Sequence, residues 1–299
     1  MGTSGSNRGS RRGLVPTWVA DPAPVAAPAP APNVPAPQPS SPGQGSQANP
    51  PRPPSASTPQ PAQPSPPLPS LPTSTAGGLL GPARSDFTRA ARGGGGGALR
   101  RSAGKYVRAV GGGRAAATIM GPSRGVASGV GRVLTDFVQN GPAAALQQFD
   151  LQSMVGEPAI EVFNALADVL CPPGGTIDEA IARQAMLAAA ADLAAVGDVP
   201  FDTMTPEMLE AVFINTISRS IEGKLINELG TRSIKLPEDI AAVQRIERQL
   251  HDFISGQVRD AFAGTRATMQ SMPRQDVDQM VGAIYEQAFQ ALEILGGAS

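Results

Sequence analysis

The start of the chain is the first place with chemistry to offer. Met1-Gly2-Thr3-Ser4 puts glycine where removal of the initiator methionine is expected to leave a free α-amine. Such an amine has an ordinary pKa of about 8, and glycine has no side chain to crowd it. It is a nitrogen nucleophile suited to attack on an activated carboxyl group. Gly2 and Ser6 also fit Met-Gly-x-x-x-Ser, the pattern for N-myristoylation. One acyl chain holds a membrane only marginally, although Arg8, Arg11 and Arg12 could assist it. The head closes with Leu14-Val15-Pro16-Thr17-Trp18-Val19, which contains the single Trp of the chain. A large ring in a stretch with no core of its own is expected to become buried on a partner.

The other reactive side chains are few. There is one Cys, Cys171, and one His, His251. One of each excludes an internal disulfide and a Cys/His zinc site. Any Ser-His-Asp or Cys-His arrangement would have to use His251. That residue has Glu247, Arg248 and Ser255 as helical neighbours, which predicts a solvated face. Cys171 stands at a helix end before two prolines and reads as a structural thiol. Gly104-Lys105 fails as a phosphate loop, because Leu99 and Tyr106 stand where glycine and a hydroxyl are required. Asp276, Asp278 and Glu286 suit helix starts and polar faces rather than a metal pair. The chain is therefore expected not to be an enzyme and to hold neither cofactor nor metal.

Four regions carry these groups. Gly and Pro make up 65 of 299 residues, and 22 of the 31 Pro fall between Pro16 and Pro82. Such a stretch cannot bury enough apolar surface to offset its ordering entropy. The reading is a recognition head over 1–21 and a disordered Pro/Gly-rich linker over 22–98, ending at the five-glycine run Gly93 to Gly97. A basic small-residue segment follows over 99–135, then an acidic α-helical domain over 136–299. Residues 1–135 carry a net charge of +12 and residues 136–299 a net charge of −13. The basic stretch Arg84–Arg132 is expected to lie on the acidic helices or on an acidic partner, ahead of nucleic acid, since Phe87 and Tyr106 are its only aromatics. A nucleic-acid-binding adaptor built on that arm is the alternative. No run of 18 apolar residues appears, so no membrane span is expected. A reducing cytoplasm suits the lone cysteine.

Helical signals are strongest after Pro142. Ala159 to Leu170 places Ile160, Phe163, Ala167 and Leu170 at three- and four-residue steps. Thr176-Ile177-Asp178-Glu179 reads as a capping box opening an Ala-rich helix. Thr205-Pro206-Glu207 opens a helix that Gly230 ends, Pro237 opens another, and the last runs from near Pro273 to Gly296. In the basic segment, Gly111-Gly112-Gly113 and Pro122 predict broken helices. No stretch alternates as a strand would. The expected fold is an all-α bundle of about five to seven helices behind a long disordered Pro-rich N-terminal region.

Several of these stretches resemble the QatB family of the four-component Qat antiphage defence system of bacteria. They are Met1-Gly2-Thr3-Ser4, Leu14 to Val19 with its Pro-rich spacer, Arg100 to Val107, and Cys171 to Ala180. The resemblance implies partners: a QatC-like (QueC-like) deazaguanine-handling enzyme, a QatA-like ATPase and a QatD-like TatD nuclease. It also implies a role for the head. QatC-type synthases activate a deazaguanine carboxylate with ATP and then add a nitrogen nucleophile. Gly2 would be the modification acceptor, with Thr3, Ser4, Leu14, Val15, Pro16 and Trp18 as partner-binding residues.

Overall fold

The computed structural model describes residues 79–195, 197, 199–230, 240–269 and 272–298. Among these the chain is helical, with no strand beyond one isolated bridge between Pro158 and Pro200. The helices are α1 (Gly81–Arg89), α2 (Gly95–Ala109), α3 (Gly113–Thr118), α4 (Gly121–Asn140), α5 (Pro142–Gln147) and α6 (Ala159–Leu170). They continue as α7 (Ile177–Ala194), α8 (Pro206–Gly230), α9 (Ile240–Ala263), α10 (Arg266–Met269) and α11 (Val277–Gly297). With α1 and α2 counted as two arms of one kinked helix, there are about ten, seven of them at least seven residues long. The all-α expectation holds, and the larger number comes from short connecting helices such as α3, α5 and α10. No helix among the described residues is long and apolar enough to cross a membrane.

Three long helices organise the packing. α4 meets α5, α7, α8 and α11; α8 meets α7 and α9; α11 meets α2, α3 and α9. Their inward faces enclose Tyr106, Phe163, Phe201, Phe213, Tyr285 and Phe289, all fully buried. Phe201 stacks edge-on against Phe137 and Phe163, with centroids 5.5 and 6.3 Å apart. The basic segment and the acidic helices thus share one core.

The boundary expected at residue 98 moves. Residues 79–98, read from sequence as the end of a disordered linker, join the body, with Leu80, Ala83, Phe87, Ala90 and Ala98 buried. The glycine run is a kink rather than a flexible hinge. Arg92 and Gly93 leave helical geometry, Gly93 at φ 97°, and Gly95 follows at φ 70°. Only glycine takes such angles at little cost. The apolar residues on either side then bury together. The head and the linker up to residue 78 lie outside the described residues.

The break expected at Pro122 occurs, with α3 ending at Thr118 and α4 starting at Gly121. Pro122 occupies the first turn of α4, where its missing N–H costs nothing. The other expected break is at Gly111 and Gly112, at φ 106° and 91°, which separate α2 from α3. α4 then runs unbroken through its glycines. A Cβ at Gly129 would stand 2.5 Å from the Leu170 methyls, and one at Gly131 would stand 3.0 Å from Val277.

The capping box at α7 forms as expected. The Thr176 hydroxyl accepts from the Glu179 amide at 3.3 Å, and the Thr176 amide donates to Glu179 Oε2 at 2.5 Å. The amide and hydroxyl of Thr176 hold the Glu179 carboxyl below its usual range. A depressed carboxylate stabilises the fold above its unfolded pKa, and that contribution is lost as pH falls through the folded value. Thr176→Ala is expected to lower the thermal midpoint by roughly 2–4 °C at neutral pH, for a cap worth about 1 kcal/mol. The gap between variant and parent should narrow on acidification through that range, which a pH series of thermal melts reads directly.

Candidate functional site

Gly2, Thr3, Ser4, Leu14, Val15, Pro16 and Trp18 all lie outside the described residues. The described chemistry belongs to the helical body, and one polar cluster of it surrounds His251. α8 packs against α9 and brings Glu222 to the imidazole, with His251 Nδ1 3.0 Å from Glu222 Oε2. The two side chains are 22% and 11% exposed. The solvated face expected for His251 is therefore corrected: the ring is half-buried against a carboxylate from the neighbouring helix. Glu247, one turn earlier on α9, has its carboxyl pushed up by burial and by the charge of Glu222. Arg219, Gln244, Arg248 and Asp252 complete a cavity of about 370 Å³. Arg219 is held in place by Asp192 of α7, whose Oδ2 accepts from Nε at 2.9 Å and from Nη2 at 2.5 Å. The arrangement joins α8 to α9 through one imidazole–carboxylate hydrogen bond beside an open, charged cavity.

The cysteine is removed from such chemistry. Cys171 is buried, and its Sγ donates to the Glu179 carbonyl at 3.1 Å. Burial, then the charge of Glu179, pushes the thiol pKa up. A thiol held protonated is a poor nucleophile. The Cys171–Glu179 bond ties the end of α6 to the first turn of α7. Arg183 strengthens the same joint, donating to the Ala167 and Cys171 carbonyls at 2.9 Å each. No group of three or more His, Cys, Asp or Glu among the described residues is placed to hold a metal ion.

Much of the basic stretch lies on the acidic helices. Lys105 Nζ donates at 2.6 Å to Asp86, the one acid of the stretch itself. Arg132 Nη2 donates to both Asp278 oxygens at 2.6 and 2.7 Å, and Arg108 donates to the Glu293 carbonyl at 3.1 Å. Arg100 sits over the Phe253 ring, 5.4 Å from its centroid. In the same region Asp136, 1% exposed, accepts from Arg274 at 2.6 Å and from Gln148 at 3.0 Å.

Glu222 was not found by sequence reasoning, because its partner is on another helix. The available signal was its place beside Ile221 and Leu225, on the buried face of α8. Ser220, also on that face, hydrogen-bonds the Tyr285 hydroxyl across the core at 2.7 Å. Burial pushes the Tyr285 pKa up.

The family model that matches residues 111–292 is described as Qat anti-phage system associated protein QatB. That match covers more than half of the chain and runs from the α2–α3 break through most of α11, so the chain belongs to the QatB family. It includes the Cys171–Ala180 turn; the head and Arg100–Val107 lie outside it. Comparison with curated proteins and with solved structures gives no match.

Proposed function

We propose that this protein is a non-catalytic, cytoplasmic component of the Qat antiphage system, with a division of labour between body and head. The helical body docks the partner proteins. The head presents Gly2 to a QatC-like, QueC-like enzyme as the acceptor of a deazaguanine group. In that step ATP first activates the deazaguanine carboxylate. The Gly2 amine attacks the activated carbonyl carbon, the amide C–N bond forms, the activating group leaves with its electron pair, and the amine gives up a proton. QatA-like and QatD-like proteins are the further partners.

The observation that carries the reading is membership of the QatB family over 111–292. The buried, hydrogen-bonded state of Cys171 supports the non-catalytic part. The intact mass of the N-terminal peptide tests the acceptor role. It is measured after expression with and without the neighbouring synthase-like protein. The expected result is loss of Met1 in both cases and a deazaguanine amide on Gly2 only in the presence of the synthase. An unmodified Gly2 with an active synthase present sinks the acceptor role. A fatty acyl mass would point to lipid anchoring instead.

The rival adaptor reading, a nucleic-acid contact along Arg84–Arg132, keeps only part of its charge. Lys105, Arg108 and Arg132 are occupied by the protein's own acids. The cavity at the α1–α2 kink is what favours the remainder of it.

A further inference from the structure

The arginines of the kink differ from the rest of the basic stretch. Arg84, Ser85, Thr88, Arg89 and Arg92 follow one face of α1 and its continuation. With the backbone of Gly81, Gly93 and Gly94, they line an open cavity of about 810 Å³. Arg89 is 64% exposed and lies 3.8 Å from Asp86, a carboxylate already held by Lys105 at 2.6 Å. Arg92 is exposed and forms no ion pair among the described residues. Arg84 is anchored differently, its Nε donating to the Glu228 carbonyl at 3.1 Å. The Thr88 hydroxyl donates to the Arg84 carbonyl at 2.9 Å, while Ser85, also lining the cavity, is exposed.

Glycine builds the hollow. Gly93, at φ 97°, turns the chain out of α1. Gly94 then sits so close to Arg89 that a Cβ there would stand 2.7 Å from the Arg89 carbonyl oxygen and 2.9 Å from its Cγ. The kink therefore packs against the stem of the arginine whose guanidinium borders the cavity.

We infer that this cavity binds the phosphate groups of a nucleotide, either free or within a strand. Guanidinium groups present paired N–H donors that match phosphate oxygens. The volume falls in the range of roughly 300–1,000 Å³ that holds nucleotide-sized ligands. With few aromatics in the arm, the contact is to phosphate, and base stacking contributes little. The inference rests on the adaptor reading only for the nucleotide chemistry, and it makes no use of Gly2.

The test uses the full chain and two probes. One is a fluorescein-labelled single-stranded oligonucleotide read by anisotropy, and the other is ADP read by calorimetry. Arg92→Gln, at the cavity, is compared with Arg114→Gln, an exposed arginine of the same arm on α3. Both changes are at the surface and remove one charge. Arg92→Gln is expected to weaken binding by about 10-fold or more, as for a lost charged hydrogen bond. Arg114→Gln should change it by less than about 2-fold. Loss confined to ADP identifies a free nucleotide as the ligand, and loss confined to the oligonucleotide identifies a strand. Equal weakening by both variants overturns the cavity and leaves an arm-wide electrostatic contact. If the unaltered protein binds neither probe, the cavity and the adaptor reading both fall.

Discussion

Gly2→Val, or an N-terminal tag that stays attached, is expected to abolish phage protection while leaving the helicity and thermal unfolding of the body unchanged. Attack on an activated carboxyl group needs a free and uncrowded amine. Valine branches next to that nitrogen and also slows methionine removal, and a tag buries the amine inside a peptide bond. The body has its own core over the described residues, so a change at Gly2 leaves its melting curve alone. Two contrasts make the result specific. Removing about ten residues within 22–78 should matter little, because a long spacer changes effective concentration only gradually. His251→Ala combined with Cys171→Ala should also keep protection, since neither residue takes part in the proposed step. Undiminished protection by a protein shown to carry its tag would rule out the acceptor role and leave the helical body as the working part.

The second large effect is expected where α2 and α11 cross. A Cβ at Gly104 would stand 2.8 Å from the Gly296 Cα. One at Gly296 would stand 2.7 Å from the Gly104 Cα and closer still to the Arg100 carbonyl oxygen. These neighbours are backbone atoms, so no side chain can rotate aside to make room. Overpacking a core costs typically 1–3 kcal/mol, and here two helices must separate along buried residues including Tyr106 and Leu292. Gly104→Val and Gly296→Val are each expected to cost about 3 kcal/mol, lowering the thermal midpoint by roughly 6–12 °C. The double variant should cost less than the sum, because the first substitution already opens the gap. Gly125→Ala is the internal comparison. It lies within α4 with nothing inside 4 Å of its would-be Cβ, so it should stabilise by up to about 1 kcal/mol through helix propensity alone. A melting shift for Gly104→Val no more destabilising than that for Gly125→Ala would mean that the crossing is not tight.

The contrast between these glycines shows what the sequence makes legible. The spacing of Ile160, Phe163 and Ala167 and the stop at Cys171 locate α6 at its observed ends. The capping residues locate the start of α7, and Pro206 and Gly230 bound α8. Those signals are local, carried by residues within a few turns of one another. Residues 79–135 are different. Glycine there reads as a breaker, yet whether it ends a helix or admits a neighbour is decided by residues far along the chain. Gly111 and Gly112 break, Gly93 kinks, and Gly104 receives Gly296. The 79–98 arm was hidden for another reason: its modest apolar stripe packs mainly on α2, just across a glycine run that reads as a linker. The pairing of His251 with Glu222 is equally non-local. The proposed role of Gly2 rests on its position in the chain alone.

The α2–α11 crossing has a consequence for how the protein is made. α2 and α3 are among the first helices of the body to be synthesised, and each packs on α11, the last. Until α11 leaves the ribosome, the faces bearing Gly104 and Gly113 lack their C-terminal cover. The glycine surface that will receive that helix stays open as well. Domains with such end-to-end closure cannot complete their core stepwise during translation, and they expose apolar surface for longest at their oldest end. A chain that stops before Val277 would lose more than its last helix: it would leave the segment made first with no partner to fold against.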